Sequence, residues 1–341
     1  MRLFFLILLF LAATASTLRA GEYEEPLADQ LRERFKSEPF SLGILLQAQG
    51  AFSLRDNDFN GGHAWDLGST RIDFRGTVDR DFTYRVRVYF LSQQQSIDAR
   101  IGYRFSDQFQ IIAGAFKPYM SRELDPSPAN LHFVRRARLV GAMMNTLEIG
   151  MSAIGELGSF QYRLGMYNGD GVFGITRPND NRFLYTSRFS YGVALGEHQK
   201  MELGINASIN QSRAERVGNT GLTSAGDRLI YGGYADYDSR LIFVTAEYMQ
   251  SRFDAVDFGG SRETITGVYT TLGFKVDPRN EALIRWDHLG FDLRGDRSER
   301  FLLGWNYYPT SLVSFRVNAL MEFREDEKTQ FGLTGVFQYH F

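Results

Sequence analysis

The chain has 341 residues, no cysteine, 34 glycines and a formal charge of −2, with 43% hydrophobic and 14% aromatic side chains. This composition is too apolar for a disordered chain and excludes a disulfide framework and cysteine-based metal sites. The charge balance offers nothing for nucleic acid to bind.

The first twenty residues, MRLFFLILLFLAATASTLRA, read as a secretory signal peptide. Arg2 is the positive n-region and Leu3 to Ala13 the apolar h-region. Ala13-Thr14-Ala15 and Leu18-Arg19-Ala20 are candidate cleavage sites. The stretch is too short to span a bilayer as a helix, and no later segment has eighteen uninterrupted apolar residues. Cleavage after Ala20 leaves a formal charge of about −4. Residues 21–40 are polar, weakly helical near Ala28 to Lys36, and read as an N-terminal periplasmic extension.

From residue 41 to the end the period is two. Ile44, Leu46, Ala48, Gly50, Phe52 and Leu54 form one face of the first strand, with Gln47, Gln49 and Ser53 on the other. Ile72, Phe74 and Val78 alternate with Arg71, Asp73 and Arg75. Phe82, Tyr84, Val86, Val88 and Phe90 alternate with Thr83, Arg85, Arg87 and Tyr89. Val313, Phe315, Val317, Ala319, Met321 and Phe323 alternate with Ser314, Arg316, Asn318 and Glu322. About sixteen such segments occur, long enough to cross a bilayer when tilted.

Connectors alternate between short and long. Asp79-Arg80-Asp81, Ser106-Asp107-Gln108, Asp238-Ser239-Arg240, Asp277 to Asn280 and Pro309-Thr310 are short. Asp56 to Gly68, Pro118 to Asn145, Gly169 to Arg182, Gln211 to Asp227 and Arg252 to Arg262 are long. No proline falls inside an expected strand, as ladder hydrogen bonding requires. The fold expected is all-β: a transmembrane antiparallel β-barrel of about 16 strands over residues 41–341, in the bacterial outer membrane, with the Pro118–Asn145 connector as an inward-folded third extracellular loop. The C-terminal Phe337, Tyr339 and Phe341 resemble the signal read by barrel-insertion machinery, with outer-membrane lipid as the surrounding partner.

With the apolar face on lipid, the other face lines the lumen, because a charge facing lipid at the midplane costs about 2–4 kcal/mol. Arg71, Arg75, Arg85, Arg87, Arg100, Arg163, Arg188, Arg285 and Arg316 are then pore-lining, anion-attracting candidates. Across the Asp79–Asp81 turn, Arg75 meets Arg85 and Asp73 meets Arg87, with Arg100 expected to approach Arg87. Lys117, Arg122, Arg135, Arg136 and Arg138 belong to the expected constriction loop. A guanidinium stays protonated and offers a fork of donors to phosphate or carboxylate. Lumenal carboxylates such as Asp73, Glu247 and Asp287 leave open whether the arginines select ions or brace the wall.

Three stretches, STRIDFRGTVDRDFTYRVRVYF (69–90), AGAFKPYMSRELDPSPANLHFVRRARL (113–139) and LGWNYYPTSLVSFRVN (303–318), with the terminal GVFQYHF, resemble the phosphate-selective porin O/P family. Where that family usually reads KPPFG, this chain has Lys117-Pro118-Tyr119-Met120-Ser121. The resemblance implies a trimeric, 16-stranded barrel with an anion-preferring pore for small solutes, phosphate or polyphosphate among them. A nonspecific diffusion porin shares every feature except the charge bias. A plugged structural barrel predicts no conductance. A barrel enzyme needs a nucleophile motif, and His63, His132, His198, His288 and His340 are scattered without one. No cofactor, metal or nucleic-acid partner is expected.

Overall fold

A computed structural model describes residues 26–35, 40–55, 63–90, 97–172, 182–211, 215–325 and 327–341. The expected signal peptide, residues 1–20, lies outside them. Of the N-terminal extension, helix α1 (Pro26–Phe35) is described, close to where weak helical character is expected. Among the described residues no helix is long and apolar enough to cross a membrane, which says nothing of crossing by strands.

Seventeen strand segments follow: β1 (Ser41–Ser53), β2 (His63–Asp66), β3 (Arg71–Val78), β4 (Phe82–Tyr89), β5 (Ile97–Ser106), β6 (Phe109–Phe116), β7 (Glu148–Leu157), β8 (Phe160–Tyr167), β9 (Leu184–Gly196), β10 (Gln199–Asn210), β11 (Arg228–Asp238), β12 (Ile242–Ala255), β13 (Ser261–Asp277), β14 (Asn280–Phe291), β15 (Arg297–Tyr307), β16 (Val313–Arg324) and β17 (Gln330–His340). β2 and β3 both pair with β1 and are two parts of one barrel strand. The result is a closed antiparallel barrel of 16 strands, each paired with its neighbours in sequence. β17 closes it on β1, with Leu45 opposite His340. The Phe341 amide donates to Ile44 O at 2.9 Å, and the Phe341 ring meets Phe35 of α1 at 5.9 Å. Closure satisfies every strand edge, which lipid could not do.

The burial pattern is inverted relative to a soluble protein. Leu46, Phe52, Phe82, Val86, Ile101, Leu164, Ile205, Ile284, Phe301 and Phe337 are exposed, while Arg71, Arg87, Asp98, Arg188, Glu247, Arg285, Asp287, Arg316 and Glu322 are buried. Alternation places the first set on the outer face and the second on the inner one. Two expectations need correction. Arg252 to Arg262 is not a long loop: β12 runs to Ala255 and β13 starts at Ser261, so the charged positions extend the strands beyond the apolar band. In addition, Arg100 stands opposite Arg85, not Arg87, whose partner is Asp98. That register depends on the connector after β4, whose length relative to the ladder the alternation alone does not fix.

The connector between β6 and β7, residues 117–147, contains the stretch expected as the third extracellular loop. It contains a short helix, α2 (Arg138–Met143). Its Met120, Leu124, Leu139, Val140, Ala142 and Met143 share one apolar cluster with Val217 and Leu222 of the β10–β11 connector and with Ile230, Met249, Phe253, Ile265, Tyr269 and Phe291. The strand members alternate with outward residues, so the inner face of β11–β14 is apolar there as well as charged.

Candidate functional site

The arginines divide by strand. On β3–β5, Arg75, Arg85 and Arg100 stand in one register row. Arg85 is neutralised: its Nε donates to both oxygens of Asp73, at 2.9 and 3.1 Å. Arg87 bridges Asp73 at 2.9 Å and Asp98 at 3.2 Å. Arg71 donates to Ser127 Oγ of the third connector at 2.5 Å and lies over the Tyr89 ring. Arg75 is exposed, and Arg100 lies 6.0 Å from the Phe116 ring. Among the described residues, neither is ion-paired to a carboxylate. Arg75, Arg85 and Arg100 line one cavity of about 560 Å³ with Thr77, Thr83, Gly102, Gln110 and Ile112.

Elsewhere the inner arginines hold the connector. Arg163 reaches Asp125 at 2.9 Å, and Arg188 also pairs with Asp125 and donates to Ser121 O. Arg285 meets Glu123 at 3.0 Å beneath the Phe133 ring, 4.5 Å from its centroid. Arg316 donates to the carbonyls of Pro128 and Ala129.

The connector's own cations are likewise engaged. Arg122 pairs with Asp236. Its amide and that of Glu123 donate to Glu247, joined by Ser121 Oγ at 2.9 Å, so three neutral donors hydrogen-bond a buried carboxylate. Arg138 donates to Ser298 Oγ at 2.5 Å and Asp287 O at 2.6 Å, and reaches Glu322 at 3.3 Å. Arg136 turns inward on its own segment, onto the carbonyls of Glu123 and Pro126. Arg135 is exposed. Lys117 donates to Leu124 O and Pro126 O, at 2.8 and 3.0 Å. Burial, then the neighbouring Arg136, Arg87 and Arg71, pushes its ammonium down to about 6. The amine is therefore largely neutral at neutral pH and is a poor attractor of anions.

Further contacts escaped the sequence reading. Phe133 is fully buried among Phe243, Leu283, Leu302 and Leu320. Val134 N donates to Asn318 Oδ1 at 2.7 Å, and Asn306 Nδ2 to His132 O at 2.9 Å. His132 stacks on Phe243 at 4.2 Å. At the other end, the Asn145 amide is shared between the buried Glu148 and Glu215, the latter paired with Arg228 at 3.0 Å. The apolar run Leu139-Val140-Gly141-Ala142-Met143-Met144 inside a connector was the readable signal, since solvated loops rarely carry one.

The geometry thus consists of a β3–β5 wall on which Arg75 and Arg100 form no ion pair among the described residues, and a long connector held mainly by β8–β17 with one bond to Arg71 of β3. Comparison with known proteins agrees with the barrel. The family model described as phosphate-selective porin O and P matches residues 49–341. Curated proteins give no match. Among solved structures, an anion-selective porin from Comamonas acidovorans superposes with a TM-score of 0.68 at 10% identity, covering 89% of this chain and 100% of that one. OmpT with loop L8 deleted, an outer membrane protein of Vibrio cholerae, gives 0.65 at 12% identity over 89% and 99%. OprB of Pseudomonas putida gives 0.62 at 9% identity over 93% and 96%. At these identities the likeness concerns the fold.

Proposed function

This chain belongs to the phosphate-selective porin O and P family, and from that premise we propose that it is an outer-membrane channel for small solutes that prefers anions. The single observation carrying the preference is the charge on the β3–β5 wall. Arg71, Arg75, Arg85, Arg87, Arg100 and Arg104 occupy its inner positions against two carboxylates: Asp73, paired with Arg85 and Arg87, and Asp98, paired with Arg87 and within the field of Arg100. A fixed positive excess beside a narrow, low-dielectric passage focuses the field and raises the local concentration of anions. Arg75 and Arg100 are the residues we assign to attraction.

The third connector is the constriction in this reading. It bonds to inner side chains on β8, β9, β11, β12 and β14–β17 and, through Arg71, at one point on β3, so the passage is displaced toward the Arg75–Arg100 row of β3–β5. Arg122, Arg136, Arg138, Arg163, Arg188, Arg285 and Arg316 brace that segment. Phosphate-like anions are the solute class suggested by the family description, and a homotrimer is the assembly suggested by the resemblance. Export by a cleaved signal peptide and insertion guided by Phe341 complete the proposal.

The test is a double replacement, Arg75→Gln with Arg100→Gln, in planar bilayers. The anion-to-cation permeability ratio should fall while single-channel conductance in concentrated salt stays close to the parent's. An unchanged ratio would remove both residues from the selectivity mechanism.

A further inference from the structure

Glu148 and Glu215 stand apart from the β3–β5 wall, yet three connectors meet on them. Both sit at the rim that carries the long connectors, where β6–β7, β8–β9 and β10–β11 join. Asn145, near the end of the β6–β7 connector, gives its side-chain amide to both. Its Nδ2 donates to Glu148 Oε1 at 2.9 Å and to Glu215 Oε1 at 3.1 Å. The second oxygen of Glu148 accepts from the backbone amides of Gly169 and Gly171 in the β8–β9 connector, at 3.1 and 3.0 Å. Positive φ at both glycines, 91° and 75°, bends the chain so that the two amides converge. Glu215 belongs to the β10–β11 connector and accepts from Arg228 of β11 at 3.0 Å and from Asn210 Nδ2 of β10. Asn210 also donates to Gly169 O at 3.0 Å, and Arg228 to Met143 O at 2.9 Å.

Charge in this cluster does not balance. Glu148 and Glu215 are 1% and 6% exposed, and one nitrogen holds an oxygen of each. Among the described residues Glu148 is ion-paired to no cation. The charges facing Glu215 are Arg228 of β11, Glu148 of β7 and Asp170 of the β8–β9 connector, one guanidinium against two further carboxyls. Burial, offset in part by Arg228 and reinforced by Glu148 and Asp170, pushes the Glu215 carboxyl up to about 7. Two carboxyls this close in a buried site titrate as a pair and keep a proton that separated ones release.

We propose that Glu148 and Glu215 share one bound proton, and that this proton latches the extracellular end of the constricting connector to its two neighbours. The latch rests on the reading of that connector as the constriction and is independent of which ions pass. Apart from the cluster, Glu215 titrates near its ordinary 4.5. Between about 4.5 and about 7 the docked state therefore binds more protons, and docking weakens as pH rises through that window. Acid surroundings thus fasten this end of the connector, and neutral or alkaline ones free it.

The chain has no cysteine, so Asn219→Cys carries a single nitroxide on the full-length protein in lipid vesicles. Asn219 is exposed, and its backbone amide donates to Gly141 O across the two connectors at 2.8 Å, so the label's mobility reads docking. In electron paramagnetic resonance spectra the mobile-to-immobile ratio should rise about tenfold per pH unit up to about pH 7 and level off above. Glu215→Gln should keep the label immobile throughout. Glu148→Gln, which removes a neighbouring carboxyl, should end the rise at a lower pH. Lys117→Met, at the connector's other end, should leave the profile as in the parent. A flat parent profile, or the parent's slope persisting in Glu215→Gln, would overturn the proposal. An unmoved upper end in Glu148→Gln would overturn the sharing of the proton.

Discussion

Replacing Phe133 by alanine isolates the anchoring of the third connector. The ring is fully buried against Phe243, Leu283, Leu302 and Leu320, with the Arg285 guanidinium over its face. None of these strands needs Phe133 for its ladder, so the barrel should still close. The loss should fall on the segment's attachment. Deleting a buried phenylalanine ring costs about 3–5 kcal/mol through lost burial and the cavity left behind. At 1.4 kcal/mol per factor of ten, the detached population rises between about a hundredfold and a few thousandfold. The neighbouring Val134–Asn318 and Asn306–His132 bonds give the segment residual purchase, so intermittent detachment is expected. Single-channel recording should show larger, noisier openings and a weaker anion preference, and limited proteolysis should find new cleavage between Arg122 and Arg138. Parent-like conductance, noise and selectivity would show that this segment does not set the narrowest section.

Arg138→Ala strips Asp287 and Glu322 of a cation they share, and a buried carboxylate left unpaired costs about 3–5 kcal/mol. Because Arg300 and Arg324 also reach Glu322, the damage should centre on Asp287 and appear as channel noise rather than as altered selectivity. A pure selectivity change would make Arg138 a filter. Lys117 gives a pH signature. Its docked ammonium titrates near 6 and an undocked lysine near 10.4, so the undocked state binds more protons between those values and docking strengthens as pH rises through that window. Noise should therefore grow as pH is lowered from about 9 to about 6 and level off below, and Lys117→Met should flatten the profile. A parent profile flat across that range counts against a buried Lys117.

The barrel was legible because its signal is repeated: each strand restates the two-residue period, and short and long connectors alternate between them. The inner face was legible for the same reason: Arg71, Arg87, Arg188, Arg285 and Arg316, on the charged side of the alternation, are buried while their apolar neighbours are exposed. Pairing was legible only where a tight turn fixes it. The Asp79–Asp81 turn places Arg75 opposite Arg85 and Asp73 opposite Arg87, whereas Arg100 shifted by one pair because its register depends on a longer connector. The roles of the loop arginines were the least legible. Arg122 and Arg138 find Asp236 and Asp287 more than a hundred residues away, and no local pattern encodes that meeting. Sequence treated residues 117–147 as a string of charges. The Leu139–Met144 run and Phe133 show that the segment instead carries its own apolar core.

The central claim is that fixed positive charge on the β3–β5 wall makes this a channel that favours anions. The most direct test is the zero-current potential of the purified protein in a planar bilayer across a potassium chloride gradient. Conducting pores are expected, with a reversal potential of the sign of chloride permeation that shrinks as ionic strength screens the arginines. A reversal potential of the opposite sign, or folded protein that never conducts, would contradict it.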